Sequence, residues 1–66
     1  MGIIALEDMI KKGKWIITLN DKSKWVVDFD NNSMDSLEWY KAYGTLENEL
    51  NYEDLKKDAV SMRKLK

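Results

Sequence analysis

The chain has 66 residues, the size of one small domain, and we expect residues 1–66 to form a single domain. It contains no cysteine, histidine or proline, which excludes disulfides, Cys- or His-ligated metal sites and imidazole-based catalysis. The net charge of −1 disfavours a general attraction to nucleic acid. Residues 28–58, however, carry nine acidic residues against three lysines, and this segment would attract a basic surface on a partner.

No segment of the sequence has the pattern of a membrane span or of a secretory signal. The longest apolar run covers residues 3–6, whereas a membrane-spanning helix needs about 20 predominantly apolar residues. The charged first region and long apolar region of a signal peptide are both missing. We therefore expect a cytoplasmic protein with no membrane partner.

The first predicted element is a short helix over residues 3–12. Ile3, Leu6 and Ile10 follow the i, i+3, i+7 spacing that places side chains on one face of a helix. Gly13 follows directly and is typical of the residue that ends a helix. A strand through residues 3–6 is the alternative interpretation.

Residues 14–19 and 24–30 predict two antiparallel strands joined by a tight loop. Both stretches are rich in Trp, Ile and Val, which favour strands. A three-residue loop over residues 21–23 places the large side chains on one face of the hairpin, whereas a shift by one residue would mix the two faces. The expected pairs across the hairpin are Trp15 with Phe29, Ile17 with Val27 and Leu19 with Trp25.

The second half of the sequence predicts helices. Ser33 has the residue type of an N-cap for a helix over residues 34–43, and Gly44 would end that helix. A further helical stretch starts at Thr45 and is interrupted or capped again at Asn51. A last helix over residues 52–65 is indicated by the apolar stripe of Tyr52, Leu55, Ala59 and Met62.

Together these elements predict an α+β fold with the order α-β-β-α-α. The hairpin would form a two-stranded antiparallel sheet, and the helices would cover its apolar face. No linker, repeat or low-complexity segment divides the chain.

The sequence offers little for catalysis or metal binding. Asp28, Asp30 and Asn32 have the spacing that opens a calcium-binding loop, but Ser33 and Trp39 occupy the positions that such a loop fills with Gly and Glu. The acidic residues between 47 and 58 fit a solvated helix face better than an active site, because acid–base catalysis near neutral pH needs carboxyl groups shielded from water. We therefore expect no enzyme activity, no metal and no cofactor.

The segment over residues 37–43 bears most directly on function. On a helix, Leu37 and Tyr40 lie on one side, whereas Trp39 and Tyr43 lie on another. One short helix in so small a domain can hardly bury both sides, so we expect part of this aromatic set to be exposed; the alternative is that every aromatic side chain belongs to the core. Tyr and Trp dominate the energetics of protein interfaces. The predicted partner-binding residues are Asp35, Glu38, Trp39, Tyr40 and Tyr43.

The opening stretch Ala5-Leu6-x-x-Met9-Ile10-x-x-Gly13-Lys14, followed by a hairpin, resembles the start of small phage-encoded accessory proteins. Among these are anti-defence sponges that sequester nucleotide-type signals. The resemblance covers residues 3–29 and implies an inhibitor or modulator carried by a phage or another mobile element. Trp15 stands where the sponges tend to carry Arg, so no ligand-binding residue is transferred to this chain.

Three functions are compatible with these features. The leading hypothesis is a small non-enzymatic interaction module, an inhibitor or modulator that binds a partner with a basic surface through the acidic aromatic segment. The first alternative is a homodimer that binds a small nucleotide-like ligand, since dimerisation would relieve the limited core of a small domain. The second is a β-ribbon that binds nucleic acid through Lys14, Lys22 and Lys24, which the net charge disfavours.

Overall fold

A computed structural model describes residues 12–65, and these residues form an antiparallel five-stranded sheet with two short helices. The α+β class is as predicted, but the predicted order α-β-β-α-α and the two-stranded sheet are wrong. Residues 3–11 of the helix predicted over residues 3–12 lie outside the described residues. In chain order the elements are β1 Lys14–Leu19, β2 Lys24–Asp28, β3 Ser33–Ser36, α1 Leu37–Tyr43, β4 Asn48–Glu49, α2 Tyr52–Asp58 and β5 Ala59–Lys64. The strand order in the sheet is β4-β3-β2-β1-β5.

The β1–β2 hairpin forms as predicted, but its register differs by two residues. Trp15 pairs with Val27, and Ile17 pairs with Trp25. The loop still has three residues, 20–22, because the amide of Leu19 donates to the carbonyl of Ser23 at 2.9 Å. A shift of two residues leaves every side chain on its expected face, since side chains alternate with a period of two.

Strand β3 replaces the first three residues, 34–36, of the helix predicted over residues 34–43. Val26 and Val27 of β2 are fully buried, so β2 is a central strand whose two edges both need hydrogen-bonding partners. β3 supplies one of them, with Asp35 opposite Val26 and Met34 opposite Val27. The N-cap role predicted for Ser33 is therefore wrong, and Ser36 takes it at the point where the chain leaves the sheet.

Strand β5 replaces the second half of the helix predicted over residues 52–65. Helix α2 begins after Asn51, as predicted, but it ends at Asp58. β5 then pairs with β1, placing Met62 opposite Ile17. Without β5 the outer edge of β1 would leave backbone groups beside the fully buried Ile17 without partners. The stretch from Thr45 contains β4 rather than a helix.

The core lies between α2 and one face of the sheet, and we call that face of the sheet the inner face. Its fully buried members come from β1, β2, α2 and β5, so the apolar stripe seen in the sequence contacts one core although it spans a helix and a strand. Trp15, Leu19, Phe29 and Met34 pack around it. The buried set is Ile17, Val27, Leu55 and Ala59.

Candidate functional site

Helix α1 is short but capped at both ends. The hydroxyl of Ser36 accepts a hydrogen bond from the amide of Trp39 at 3.0 Å, which satisfies a donor in the first turn. At the other end Gly44 has φ 71°, and its amide donates to the carbonyl of Tyr40 at 2.7 Å. Gly44 thus ends the helix as predicted. The caps fix the directions of the α1 side chains without any fully buried α1 residue.

Trp39 and Tyr43 form an exposed aromatic pair on α1. The Trp39 side chain is 37% exposed and that of Tyr43 is 64% exposed, and they are the large exposed hydrophobic side chains found in residues 12–65. Their ring centroids lie 4.3 Å apart with the ring planes tilted by 44°. The i, i+4 spacing brings the two rings together, so they present one continuous apolar surface to solvent.

The other predicted partner-binding residues lie in different environments. Glu38 is exposed on α1, and Tyr40 is half-buried. Asp35 is only 8% exposed and lies on β3, so it does not belong to the accessible surface. The structure therefore brings Glu38, Tyr40 and the aromatic pair onto one helix and places Asp35 beneath it.

The carboxylate of Asp35 anchors the chain on either side of α1. Its Oδ1 atom accepts from the amide of Ser36 at 3.0 Å. Its Oδ2 atom accepts from the amide of Glu47 and from the side-chain nitrogen of Asn48, both at 3.1 Å. Because these donors lie before and after α1, Asp35 fixes the helix to the sheet and has a structural role.

The segment with calcium-loop spacing is the turn between β2 and β3. Asp28 is buried, and its carboxylate accepts from the amides of Asp30 and Asn31 and from the Asn31 side chain at 2.8–3.2 Å. Burial acts to raise the pKa of Asp28, but these hydrogen bonds together with the nearby charge of Lys14 lower it below its ordinary value. The Lys14 ammonium lies 3.8 Å from the carboxylate.

A groove next to α1 was not predicted from the sequence. It has a volume of about 440 Å³ and lies between the β1–β2 loop and one side of α1. The lysine ribbon considered from the sequence contains Lys22 and Lys24, but only the fold places Lys41 beside them. The residues that line the groove are Lys22, Ser23, Lys24, Ser36, Leu37, Glu38 and Lys41.

Comparisons with known proteins do not indicate a function for this chain, so the functional proposal is based on the fold and its surfaces. No protein family, curated protein or solved structure matches this chain. The resemblance to phage accessory proteins thus stays a prediction. Neither α1 nor α2, the helices within residues 12–65, is long and apolar enough to cross a membrane. In the same part of the chain, no three acidic side chains are grouped as they would be around a metal ion.

Proposed function

We propose that this protein is a non-enzymatic interaction module that binds a partner protein through α1. The binding surface, which we call the α1 surface, consists of Glu38, Trp39, Tyr40 and Tyr43. Asp35 is left out because it is buried and its oxygens already accept intramolecular hydrogen bonds. By occupying its partner, such a small module would block or modulate the partner's activity.

The observation that carries the proposal is the exposure of the Trp39–Tyr43 pair. The two aromatic rings, whose centroids lie 4.3 Å apart, supply a large, stiff apolar area with polar atoms at its edges. Trp and Tyr are enriched among the few interface residues that carry most of the binding free energy. Tyr43, at 64% exposed, contributes little to the core of this chain, so its contact area is free for a partner.

The pre-formed helix supports the same function. Ser36 and Gly44 cap α1, and Asp35 ties both of its flanks to the sheet. A partner would therefore meet rings that are already fixed in place, which lowers the entropy lost on binding.

The charges near α1 support a partner with a basic surface. Glu38 on α1 and Glu47 and Glu49 in the following segment are exposed, whereas Lys41 is the basic residue within the helix. Complementary charge of this kind accelerates association and selects the orientation of docking more than it adds affinity.

The test compares wild-type protein with the double variant W39A/Y43A and with K57A, a control at an exposed lysine of α2. Each protein is immobilised, and a protein retained by the wild type and by K57A is purified and titrated by calorimetry. We expect the double variant to lose at least about 30-fold in affinity, which corresponds to one hot-spot residue of about 2 kcal/mol. Its melting temperature should stay near that of K57A.

Equal binding of the purified partner to wild type and W39A/Y43A would overturn the proposal. Sedimentation equilibrium of the same three proteins decides the homodimer alternative. A dimer that W39A/Y43A converts to monomer would show that the partner is a second copy of this chain. A monomeric wild type that retains no protein would also overturn the proposal.

A further inference from the structure

The groove between the β1–β2 loop and α1 carries an excess of positive charge. Three lysines line it, from the hairpin loop, from β2 and from α1, and Glu38 is its one acidic residue. The only ion pair found within residues 12–65 joins Lys14 to Asp28, so these three lysines have no carboxylate partner within 4.0 Å there. An uncompensated group of this kind attracts anions.

The acidic residue of the hairpin loop is hydrogen-bonded to Ser23, which lines the groove. Asp21 accepts hydrogen bonds from the amide and the hydroxyl of Ser23, at 2.9 and 2.6 Å. Those bonds, the side-chain one first, lower the pKa of Asp21 and so keep it ionised. Its carboxylate does not line the groove. Asp21 therefore adds a second negative charge beside the groove, and the three lysines still outnumber Glu38 and Asp21.

Lys22 occupies a backbone conformation that favours a different residue. Its φ is 74°, in the left-handed region where glycine is favoured because side chains are strained there. Strained positions of this sort concentrate at functional sites. The three-residue loop imposes this conformation, and it places the Lys22 side chain at the lip of the groove.

Lys24 continues the basic surface across the outer face of the sheet. It also lines a second groove, of about 450 Å³, over β1 and β5. That groove contains the guanidinium-bearing Arg63 and the hydroxyl-bearing Thr18 and Ser61. The two grooves therefore share one cation, and polar donors border both of them.

We infer that the groove lined by Lys22, Lys24 and Lys41 binds the phosphate groups of a small molecule. Its volume lies in the range of small-ligand sites. Lysine ammonium groups bind phosphate as point charges, and the hydroxyl of Ser36 lies beside them. None of the groove residues is aromatic, so the stacking platform of single-stranded nucleic-acid binding proteins is missing here.

This site shares only Glu38 with the α1 surface, although both use α1. At about 100° per residue, Leu37 and Lys41 lie on roughly the opposite side of the helix from Trp39 and Tyr43. Glu38 lies at the border of the two. Anion binding can therefore be present whether or not a partner protein binds the aromatic pair.

The experiment titrates the full chain with inorganic pyrophosphate, with ATP and with citrate by calorimetry at near-physiological salt. We expect saturable binding of pyrophosphate or ATP and weaker binding of citrate. K24A and K41A should each weaken phosphate binding by roughly tenfold, as expected for a lost charge-assisted hydrogen bond, whereas K57A should not change it. E38Q should strengthen binding, because it removes the one negative charge of the groove.

The variant K22G distinguishes an effect on phosphate binding from an effect on the stability of the fold. Glycine relieves the left-handed strain, so K22G should bind phosphate more weakly while its melting temperature does not fall. Pyrophosphate binding without tighter ATP binding would identify the ligand as a simple phosphate, and tighter ATP binding would identify a nucleotide-like one.

Four results would overturn the inference. The first is no binding of pyrophosphate or ATP at millimolar concentration, and the second is a K57A variant that weakens phosphate binding as much as K24A and K41A do. The third is citrate binding as tight as that of pyrophosphate. The fourth is a single-stranded oligonucleotide that binds more tightly than either phosphate compound, with a steep salt dependence.

Discussion

The carboxylate of Asp35 accepts a hydrogen bond from the side chain of Asn48, 13 residues further along the chain, at 3.1 Å. This contact joins β3 to β4 across the whole of α1. The same carboxylate accepts from the amides of Ser36 and Glu47, so the position of α1 depends on one buried acid. The aromatic pair is exposed because Leu37 and Tyr40 are the half-buried residues of α1, whereas Trp39 and Tyr43 lie on another side of the helix.

Asp35→Ala should lower the free energy of unfolding by about 2 kcal/mol, since it leaves three part-buried hydrogen-bond donors without their acceptor. The effect should include a red shift of tryptophan emission as the Trp39 region loosens. Chemical denaturation monitored by circular dichroism and by fluorescence measures both. Asp30→Ala, at an exposed position, is the control. A loss no larger than that of the control would contradict the anchoring role.

The buried carboxylate of Asp28 predicts a loss of stability in acid. Its folded-state pKa lies below the ordinary value of 3.8. Its contribution to stability is therefore complete above the unfolded-state pKa and is lost as the pH falls through the folded-state pKa. Between about pH 5 and pH 2, Asp28→Asn should lose less unfolding free energy than the wild type, because it lacks this titration.

Denaturant unfolding at a series of pH values tests this prediction. At neutral pH, Asp28→Asn should be less stable than the wild type by about 2 kcal/mol, since the amide replaces a charged acceptor of three hydrogen bonds. Parallel pH profiles for the two proteins would show that Asp28 does not control the acid transition.

Lys22→Gly should stabilise the protein by about 0.5–1 kcal/mol. The substitution removes a left-handed strain of about 1–2 kcal/mol but adds freedom to the unfolded chain, which offsets part of the gain. Asn32→Gly is the matched control. Asn32 also has a positive φ, 58°, but asparagine tolerates that region, so its gain should be smaller. Thermal unfolding compares the two, and a destabilised Lys22→Gly would show that the loop needs the lysine side chain to fold.

Leu55→Ala should remove a large part of the stability. Leu55 is 1% exposed and is the buried residue through which α2 packs on the sheet. Its truncation should cost about 3 kcal/mol, against about 3–10 kcal/mol for a domain of this size. Lys57→Ala on the same helix should have little effect. Urea denaturation measures these changes. An unfolding free energy of Leu55→Ala close to that of the wild type would mean that α2 does not cover the core.

The sequence predicted the features that depend on local periodicity. The alternation of Trp15, Ile17 and Leu19 indicated the hairpin and its inner face correctly. The two-residue difference in register could not be seen, because a shift of two preserves both faces and Lys22 adopts a left-handed φ that its residue type does not favour.

Gly44 and Asn51 marked true helix boundaries because capping is local chemistry.

The strands β3 and β5 were missed because non-local pairing creates them. β3 has the polar sequence Ser-Met-Asp-Ser, and only the need of β2 for a second neighbour makes it a strand. Ala59 and Met62 fit a helical stripe with Leu55 by spacing, yet the edge of β1 draws them into the sheet. For the candidate site, the exposure of one side of α1 followed from helix geometry, whereas the burial of Asp35 depended on the unseen strand.

The most direct test of the proposed function is the affinity of the purified partner for wild type and for W39A/Y43A at equal thermal stability. We predict a loss of at least about 30-fold in affinity, with a melting temperature of W39A/Y43A close to that of K57A. Unchanged affinity would contradict it. So would a double variant that unfolds, because the aromatic pair would then belong to the core of the protein and not to a binding surface.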